Sequence, residues 1–171
     1  MNLLIGTAFL AASFFTGTTE FKIKSDAVKI EFIEGKDTKG TIGGFQASII
    51  FDANDLAKST ISGTVDLKTL DTGTPKRDEH LRSADYFEAA KYPTMGFKST
   101  SITAEGDAFI MKGLMTIKDV EREESIKFTY TDNTFKANST IQLSYYNVGG
   151  YAKKKPSETE VKISFLIPVV Q

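Results

Sequence analysis

Apolar residues recur at every second position through most of this chain. Val28, Ile30 and Phe32, for example, alternate with Lys29 and Glu31. A period of two is typical of a β-strand that buries one face and exposes the other. The same alternation recurs in seven further stretches: 45–51, 61–68, around 97, 109–111, 126–130, 141–145 and 161–167. The pattern therefore predicts about eight strands.

Turn-forming residues separate these stretches, as in Glu34–Asp37, Asp52–Asp55 and Thr131–Asn133. Connections this short favour antiparallel neighbours, and a sheet with one polar face must close or pair to bury the other. No strand–helix–strand rhythm is present, so a parallel sheet is not expected. We predict an all-β fold built as an antiparallel eight-stranded β-barrel. A sandwich of two sheets is the alternative that the alternation leaves open.

The alternation stops between Thr69 and Thr100, where turn formers and a dense polar cluster follow one another. Asp85 and Glu88 are spaced as in a capping box, which predicts that a short helix begins there. Pro93 prevents that helix from continuing, and a strand resumes at Met95–Ile102. We expect a short helical insert between two strands, at the mouth of the barrel.

The chain begins with an apolar run from Leu3 to Phe15 that ends in small residues. This run is too short for a comfortable membrane span and is typical of a secretory signal peptide, although it lacks a basic start. A buried first strand is the alternative. We expect residues 1–18 to be a signal peptide and residues 19–171 to form one β-barrel domain.

The composition excludes several classes of function but does not identify one. The formal net charge is −1, so no nucleic-acid partner is expected. The chain has no cysteine, which excludes disulfides, a thiol nucleophile and a thiolate metal site. His80 is the only histidine, and no second group is aligned with it for catalysis or for binding a metal. We expect no enzymatic activity, no metal and no cofactor.

The insert and its flanks carry a long motif with many fixed positions. It comprises Leu70, Thr72, Gly73, Arg77, Asp78, His80, Leu81, Ser83, Asp85, Tyr86, Phe87, Ala89, Lys91, Tyr92, Pro93, Met95, Phe97, Ser99 and Thr100. Gly44-Phe45 precedes the motif and Gly113-Leu114 follows it. This combination resembles the central signature of the YceI-like family of polyisoprenoid-binding proteins, over most of the chain after residue 18.

The resemblance implies an extended, lipocalin-like antiparallel barrel with a short helical insert. It implies a periplasmic or secreted carrier that holds an isoprenoid lipid, either a polyisoprenoid or an isoprenoid quinone. A homodimer and transient contact with a membrane are further expectations. The chain departs from the family where a His-Gly-Val turn is common, because Lys118-Asp119-Val120 stands there.

The inward phase of the strands and the insert supplies the expected ligand-binding residues. They are Phe45, Phe51, Leu67, Leu81, Phe87, Phe97, Phe109, Met111, Phe128 and Leu143. Aromatic and thioether groups adapt to a flexible hydrocarbon. The same pattern also fits an ordinary packed core, since periodicity does not distinguish a filled barrel from a hollow one.

Arg77, Asp78 and His80 are expected near the mouth of the barrel. They would orient the head group of the lipid. Alternatively, Arg77 and Asp78 form a structural ion pair that holds the insert, and this role is favoured. Two other functions stay open: an enzyme with His80 as base, and a stress-response or structural module with a filled core and a protein partner.

Overall fold

A computed structural model describes residues 19–36 and 38–171. The expected signal peptide lies outside the described residues. Within them the chain forms nine strands and one α-helix. These are β1 (Thr19–Ile23), β2 (Lys29–Glu34), β3 (Thr38–Phe51), β4 (Thr60–Asp71), α1 (Pro75–Arg82), β5 (Thr94–Glu105), β6 (Ala108–Ile117), β7 (Val120–Thr131), β8 (Thr134–Gln142) and β9 (Glu160–Val170).

The strands form one closed antiparallel barrel with eight strand positions, which confirms the predicted fold. Each strand from β2 to β8 pairs with the strand that follows it in the chain, and β9 pairs with β2, which closes the barrel. The ninth strand fits because β1 and β2 lie end to end between β3 and β9. Phe21 of β1 is opposite Ile49, whereas Phe32 of β2 is opposite Gly40. The two-sheet sandwich is therefore excluded.

The two ends of the barrel are built differently. At one end, the aromatic end, β3, β7 and β9 finish and β1 begins. At the other, the insert end, lie residues 72–93 and the segment 143–159, which contains three short 3-10 turns. The inward side chains between these ends form one buried apolar core.

The helix of the insert lies earlier in the chain than the capping-box spacing predicted. It spans Pro75–Arg82 and has its proline in the first turn, where a missing N–H costs nothing. Residues 83–92 form turns instead, and Glu88 has a positive φ of 52°. The predicted helix at Asp85 is wrong because Ser83 accepts from the amides of Tyr86 and Glu88 and closes tight turns there.

Candidate ligand-binding site

The interior of the barrel contains an apolar cavity of about 130 Å³. Its walls come from inward-facing residues of β2 to β9. They include Ile30, Ile42, Phe45, Ile49, Ile61, Val65, Met95, Phe97, Met111, Met115, Ile117, Ile126, Phe128, Phe135, Ala137, Ile141, Ile163, Phe165 and Ile167. An apolar cavity of about 150 Å³ is known to admit benzene. This main cavity therefore has room for a small piece of a hydrocarbon chain.

A second cavity, of about 70 Å³, lies beneath the insert. Leu81 and Phe87 of the insert, Leu143, and Tyr151 help to line it. Four residues line both cavities: Ile42, Met95, Ile141 and Ile163. The two cavities are thus separated by apolar side chains, and together they lie along the barrel towards its insert end.

The predicted ligand-binding residues fall into three groups. Phe45, Phe97, Met111 and Phe128 line the main cavity. Leu81, Phe87 and Leu143 line the second cavity. Phe51, Leu67 and Phe109 line neither, although Phe51 and Leu67 are buried. Contact of any of them with a ligand stays a prediction.

Sequence reasoning missed several residues of the cavity wall. Ile42, Met95 and Ile163 line both cavities but were not among the expected ligand-binding residues. Ile163 alternates with polar neighbours on β9, so its inward position was visible in the sequence. Ile42 lies next to a shift in register between β3 and β4, which breaks the period of two.

Six aromatic rings close the aromatic end. Phe51 packs edge-on against Phe109, Phe128, Tyr130 and Phe135, with ring centroids 5.0–5.8 Å apart. Phe21 of β1 packs in the same way against two of these rings. Aromatic pairs in this geometry stabilise a core beyond the area that they bury. This cluster forms a packed floor below the main cavity.

The insert is attached to the barrel through Thr72. The buried Asp78 carboxylate accepts hydrogen bonds from the Thr72 amide, at 2.9 Å, and from its hydroxyl. Arg77 donates from Nε to the Thr72 hydroxyl oxygen at 2.8 Å, and from Nη2 to the Thr72 carbonyl at 2.9 Å. Arg77 and Asp78 therefore both bind Thr72, and the structure does not join them as the expected direct ion pair. Arg82 adds a hydrogen bond to the Leu70 carbonyl at 2.8 Å.

His80 lies on the outer surface of the insert. Its side chain is 59% exposed, and its ring packs edge-on against Tyr86 at 4.8 Å. The Nε2 atom is 3.9 Å from the exposed carboxylate of Asp85. His80 lines neither cavity, so a role as a base acting on a ligand inside the barrel has no geometric support.

Lys118 joins the insert to the segment 143–159. Its Nζ donates to the carbonyls of Tyr86 and Asn147, both at 3.2 Å, and lies 3.8 Å from the Glu88 carboxylate. Only 11% of this side chain is exposed. Gly149 lets the two segments meet, because an added Cβ would collide with the Asp85 carbonyl.

Two tyrosines of the segment 143–159 are buried at the insert end. Tyr146 is fully buried and donates to the Glu124 carboxylate at 2.7 Å. Burial, followed by this hydrogen bond, raises the pKa of Tyr146. Burial and the nearby Glu34 carboxylate likewise raise the pKa of Tyr151. Both phenols therefore stay protonated, and available as donors, well into the alkaline range.

Within residues 19–36 and 38–171, no three His, Asp or Glu side chains are grouped so as to hold a metal ion. None of the helices in this same part of the chain has the length and apolar character needed to cross a membrane.

A closed up-and-down barrel of eight strand positions belongs to a class of fold whose interior is either filled by side chains or holds one small ligand. The chain belongs to the YceI-like family, whose YceI-like domain matches residues 17–169. It is 29% identical to protein YceI of Escherichia coli O157:H7, over 98% of this chain and 97% of that protein.

Solved structures show the same fold. Burkholderia cenocepacia BcnA superimposes with a TM-score of 0.79 and 26% identity, over 88% of this chain and 100% of BcnA. A domain from Saccharophagus degradans described as polyisoprenoid-binding superimposes with a TM-score of 0.60 and 13% identity. That likeness covers 86% of this chain and 95% of the domain.

Proposed function

We propose that this protein binds an isoprenoid-type lipid, a polyisoprenoid or an isoprenoid quinone, in the interior of its barrel without chemically changing it. The observation that carries this proposal is the pair of apolar cavities that lie one after the other along the barrel, separated by apolar side chains. Four shared residues line both, and the lining is almost wholly aliphatic, aromatic or thioether. Burial of each methylene contributes about 0.8 kcal/mol, so a long chain needs few polar contacts to bind.

Binding of a long chain requires side chains in the interior to move. The two cavities, of about 130 and 70 Å³, are too small for a whole polyisoprenoid. Met95, Met111 and Met115 line the main cavity, and thioether side chains change rotamer at little cost. We expect these methionines to open the path between the cavities when the lipid enters.

The relatives support the same class of ligand. The Saccharophagus degradans domain that shares this fold is described as polyisoprenoid-binding. We further propose export to the periplasm or the exterior, on the strength of the apolar run 3–15. A homodimer and brief contact with a membrane during loading complete the proposal.

The alternative is a filled barrel that serves as a stress-response or structural module with a protein partner. The packed rings of the aromatic end and the small volume of the main cavity favour it. Organic extraction and mass analysis of protein purified gently from its native compartment separate the two functions. An isoprenoid lipid in the extract supports the carrier, whereas a folded, lipid-free protein favours the filled barrel.

A pair of adjacent substitutions tests the interior directly. Phe97 lines the main cavity, while its neighbour Lys98 is exposed. Phe97→Glu places a charge beside the ligand without a partner, which is costly, and should reduce lipid retention strongly. Lys98→Glu should leave retention unchanged. Circular dichroism on the same samples checks folding. Equal retention by two folded variants would contradict binding in the main cavity.

A further inference from the structure

Three consecutive lysines, Lys153, Lys154 and Lys155, form an exposed turn at the insert end of the barrel. We call these three residues the lysine turn. Within residues 19–36 and 38–171, none of them forms an ion pair with a carboxylate. Adjacent charges of one sign repel one another, so the turn gains from an anionic partner outside the fold.

The lysine turn is fixed to the fold by its backbone. The Lys154 amide donates to the Tyr151 carbonyl at 2.9 Å, and the Lys155 amide donates to the Glu158 carboxylate at 3.2 Å. Pro156 then begins a 3-10 turn that spans Pro156–Glu158. Because its backbone is already ordered, the lysine turn loses little conformational freedom when it docks on a surface.

The lysine turn lies beside the second cavity. The Nζ atom of Lys154 is 5.1 Å from the centroid of the Tyr151 ring. Tyr151 is buried and helps to line the second cavity. It also packs edge-on against Tyr86 of the insert, with ring centroids 5.3 Å apart. One aromatic side chain therefore lies between this positive charge and the cavity beneath the insert.

The loops at the aromatic end carry the opposite charge. They join β3 to β4, β5 to β6 and β7 to β8. Their charged residues are Asp52, Asp55, Lys58, Asp107 and Asp132. Lys58 is paired with Asp55 at 2.5 Å, so the excess charge of these loops is acidic. An anionic surface repels this end of the barrel.

The positive excess at the insert end comes from the lysine turn. The insert is balanced, since Lys76, Arg77, Arg82 and Lys91 are offset by Asp78, Glu79, Asp85 and Glu88. The turns that join β2 to β3 and β6 to β7 each contain one lysine and one aspartate. The loops of the two ends thus form an electric dipole along the barrel, which directs the insert end towards an anionic surface.

We propose that Lys153, Lys154 and Lys155 dock the insert end on an anionic lipid bilayer. The inference rests on the proposed lipid-binding function and names the surface at which the lipid passes between membrane and barrel. An isoprenoid chain is too apolar to cross water freely, and docking in this orientation turns the second cavity towards the bilayer. A lysine close to an anionic membrane raises affinity about fivefold, so three raise it about a hundredfold.

Co-sedimentation with lipid vesicles tests the docking surface. Wild type should bind vesicles of phosphatidylcholine mixed with phosphatidylglycerol but not vesicles of phosphatidylcholine alone, and added salt should weaken the binding. Replacing all three lysines of the turn by glutamine should weaken it about a hundredfold. The matched control removes the same charge from exposed positions on the barrel wall, as Lys22→Gln, Lys112→Gln and Lys136→Gln, and should keep most of the binding. Circular dichroism checks that both variants fold.

Transfer of a fluorescent isoprenoid tests what the docking does. Transfer from loaded protein to the mixed vesicles should be at least tenfold slower for the lysine-turn variant than for the control variant. Affinity for the same isoprenoid in the absence of vesicles should be equal in wild type and both variants, because the lysine turn lines neither cavity.

The remaining outcomes distinguish failure of the docking surface from failure of the proposed function. Equal vesicle binding by the two variants, or equal rates of transfer, would overturn the docking surface and leave lipid binding intact. Release from the vesicles by inorganic phosphate, beyond the effect of sodium chloride at the same ionic strength, would overturn it in favour of a site for a phosphate ion. A wild-type protein that docks through the lysine turn but takes up no isoprenoid would refute the proposed function alone.

Discussion

The two ends of this barrel are closed by different physical means. At the aromatic end, side chains of the strands themselves pack ring against ring, so the closure is part of the core. At the insert end, residues 72–93 and the segment 143–159 lie across the barrel. They are attached by directed contacts through Thr72 and Lys118 and by buried apolar side chains such as Phe87 and Val148.

This difference indicates which end can open. Opening the aromatic end separates six packed rings, whereas lifting the insert breaks a small number of hydrogen bonds and exposes three buried apolar side chains, Leu81, Phe87 and Ala89. The second cavity lies directly beneath the insert. We therefore expect the lipid to enter and leave at the insert end, while the aromatic end provides stability.

Phe51→Ala should have the largest effect, because it removes the ring that touches four others at the aromatic end. Truncation of a buried phenylalanine costs about 3–5 kcal/mol of the free energy of unfolding. Urea unfolding measures the loss. Ile33→Ala, at an exposed position, is the control and should change little. If Phe51→Ala lost no more unfolding free energy than Ile33→Ala, the rings would not act as a packed closure.

Asp78→Ala should have a smaller effect on stability and a larger one on the ligand. It leaves the amide and the hydroxyl of Thr72 without their acceptor, at a cost of about 1–3 kcal/mol. Because the insert is then attached less firmly, bound lipid should leave faster than from Phe51→Ala. Stopped-flow release of a fluorescent isoprenoid measures this. Glu79→Ala, its exposed neighbour, should match wild type, and unchanged release from Asp78→Ala would contradict entry at the insert end.

Arg77→Ala tests the same attachment from the other side of Thr72. It removes the donors to the Thr72 hydroxyl and carbonyl, again at about 1–3 kcal/mol if the carbonyl stays buried. Lys76→Ala is the matched control, since that side chain is exposed. Thermal melting and ligand binding are both measured. No change in either would show that this pair does not hold the insert.

Lys118→Met should have a more modest effect on the same end. Methionine keeps the apolar stem but loses the contacts with Tyr86, Asn147 and Glu88. Hydrogen bonds from a charged donor contribute about 1.5–3 kcal/mol each at most, and long ones contribute less. Hydrogen exchange should rise in residues 83–92 and 143–151 and stay unchanged at the aromatic end. A uniform rise across the barrel would contradict a local attachment.

The smallest expected effect appears only at alkaline pH. The pKa of Tyr146 is raised in the folded state, so its contribution to stability is fully present below the ordinary tyrosine pKa of about 10 and is lost as pH rises beyond it. Stability of wild type should therefore fall more steeply above pH about 10 than that of Tyr146→Phe. Tyr145→Phe, at an exposed position, should keep the wild-type slope. Parallel slopes for all three would count against a buried phenol.

The strands were predictable because their alternation reports directly which face is buried. The position of the helix within the insert was harder to predict. Pro75 followed by good helix formers matches the observed helix, but the spacing of Asp85 and Glu88 suggested a later start. The burial of Asp78 was not visible in sequence, because its acceptor role depends on Thr72, which only the fold brings alongside.

The alternation of apolar and polar residues also does not indicate at which height along the barrel axis an inward side chain lies. Phe45 and Phe51 are both inward residues of β3, yet Phe45 lines the main cavity and Phe51 packs in the aromatic closure. The difference comes from their heights in the barrel, which depend on the register of neighbouring strands. Ser139 shares the inward phase of β8 with Ala137 and Ile141, and only the fold shows that its hydroxyl has no hydrogen-bond partner among the described residues.

The strand position that β1 and β2 share, between β3 and β9, has a consequence for folding. Most ladders join strands that follow one another in the chain, and such hairpins form quickly because their loops are short. The pairs that β9 makes with β1 and β2 instead join the two ends of the described chain, as Lys29 with Leu166 does. We expect the pairing of β9 with β1 and β2 to form last. Substitutions along it should then speed unfolding while leaving the rate of folding nearly unchanged.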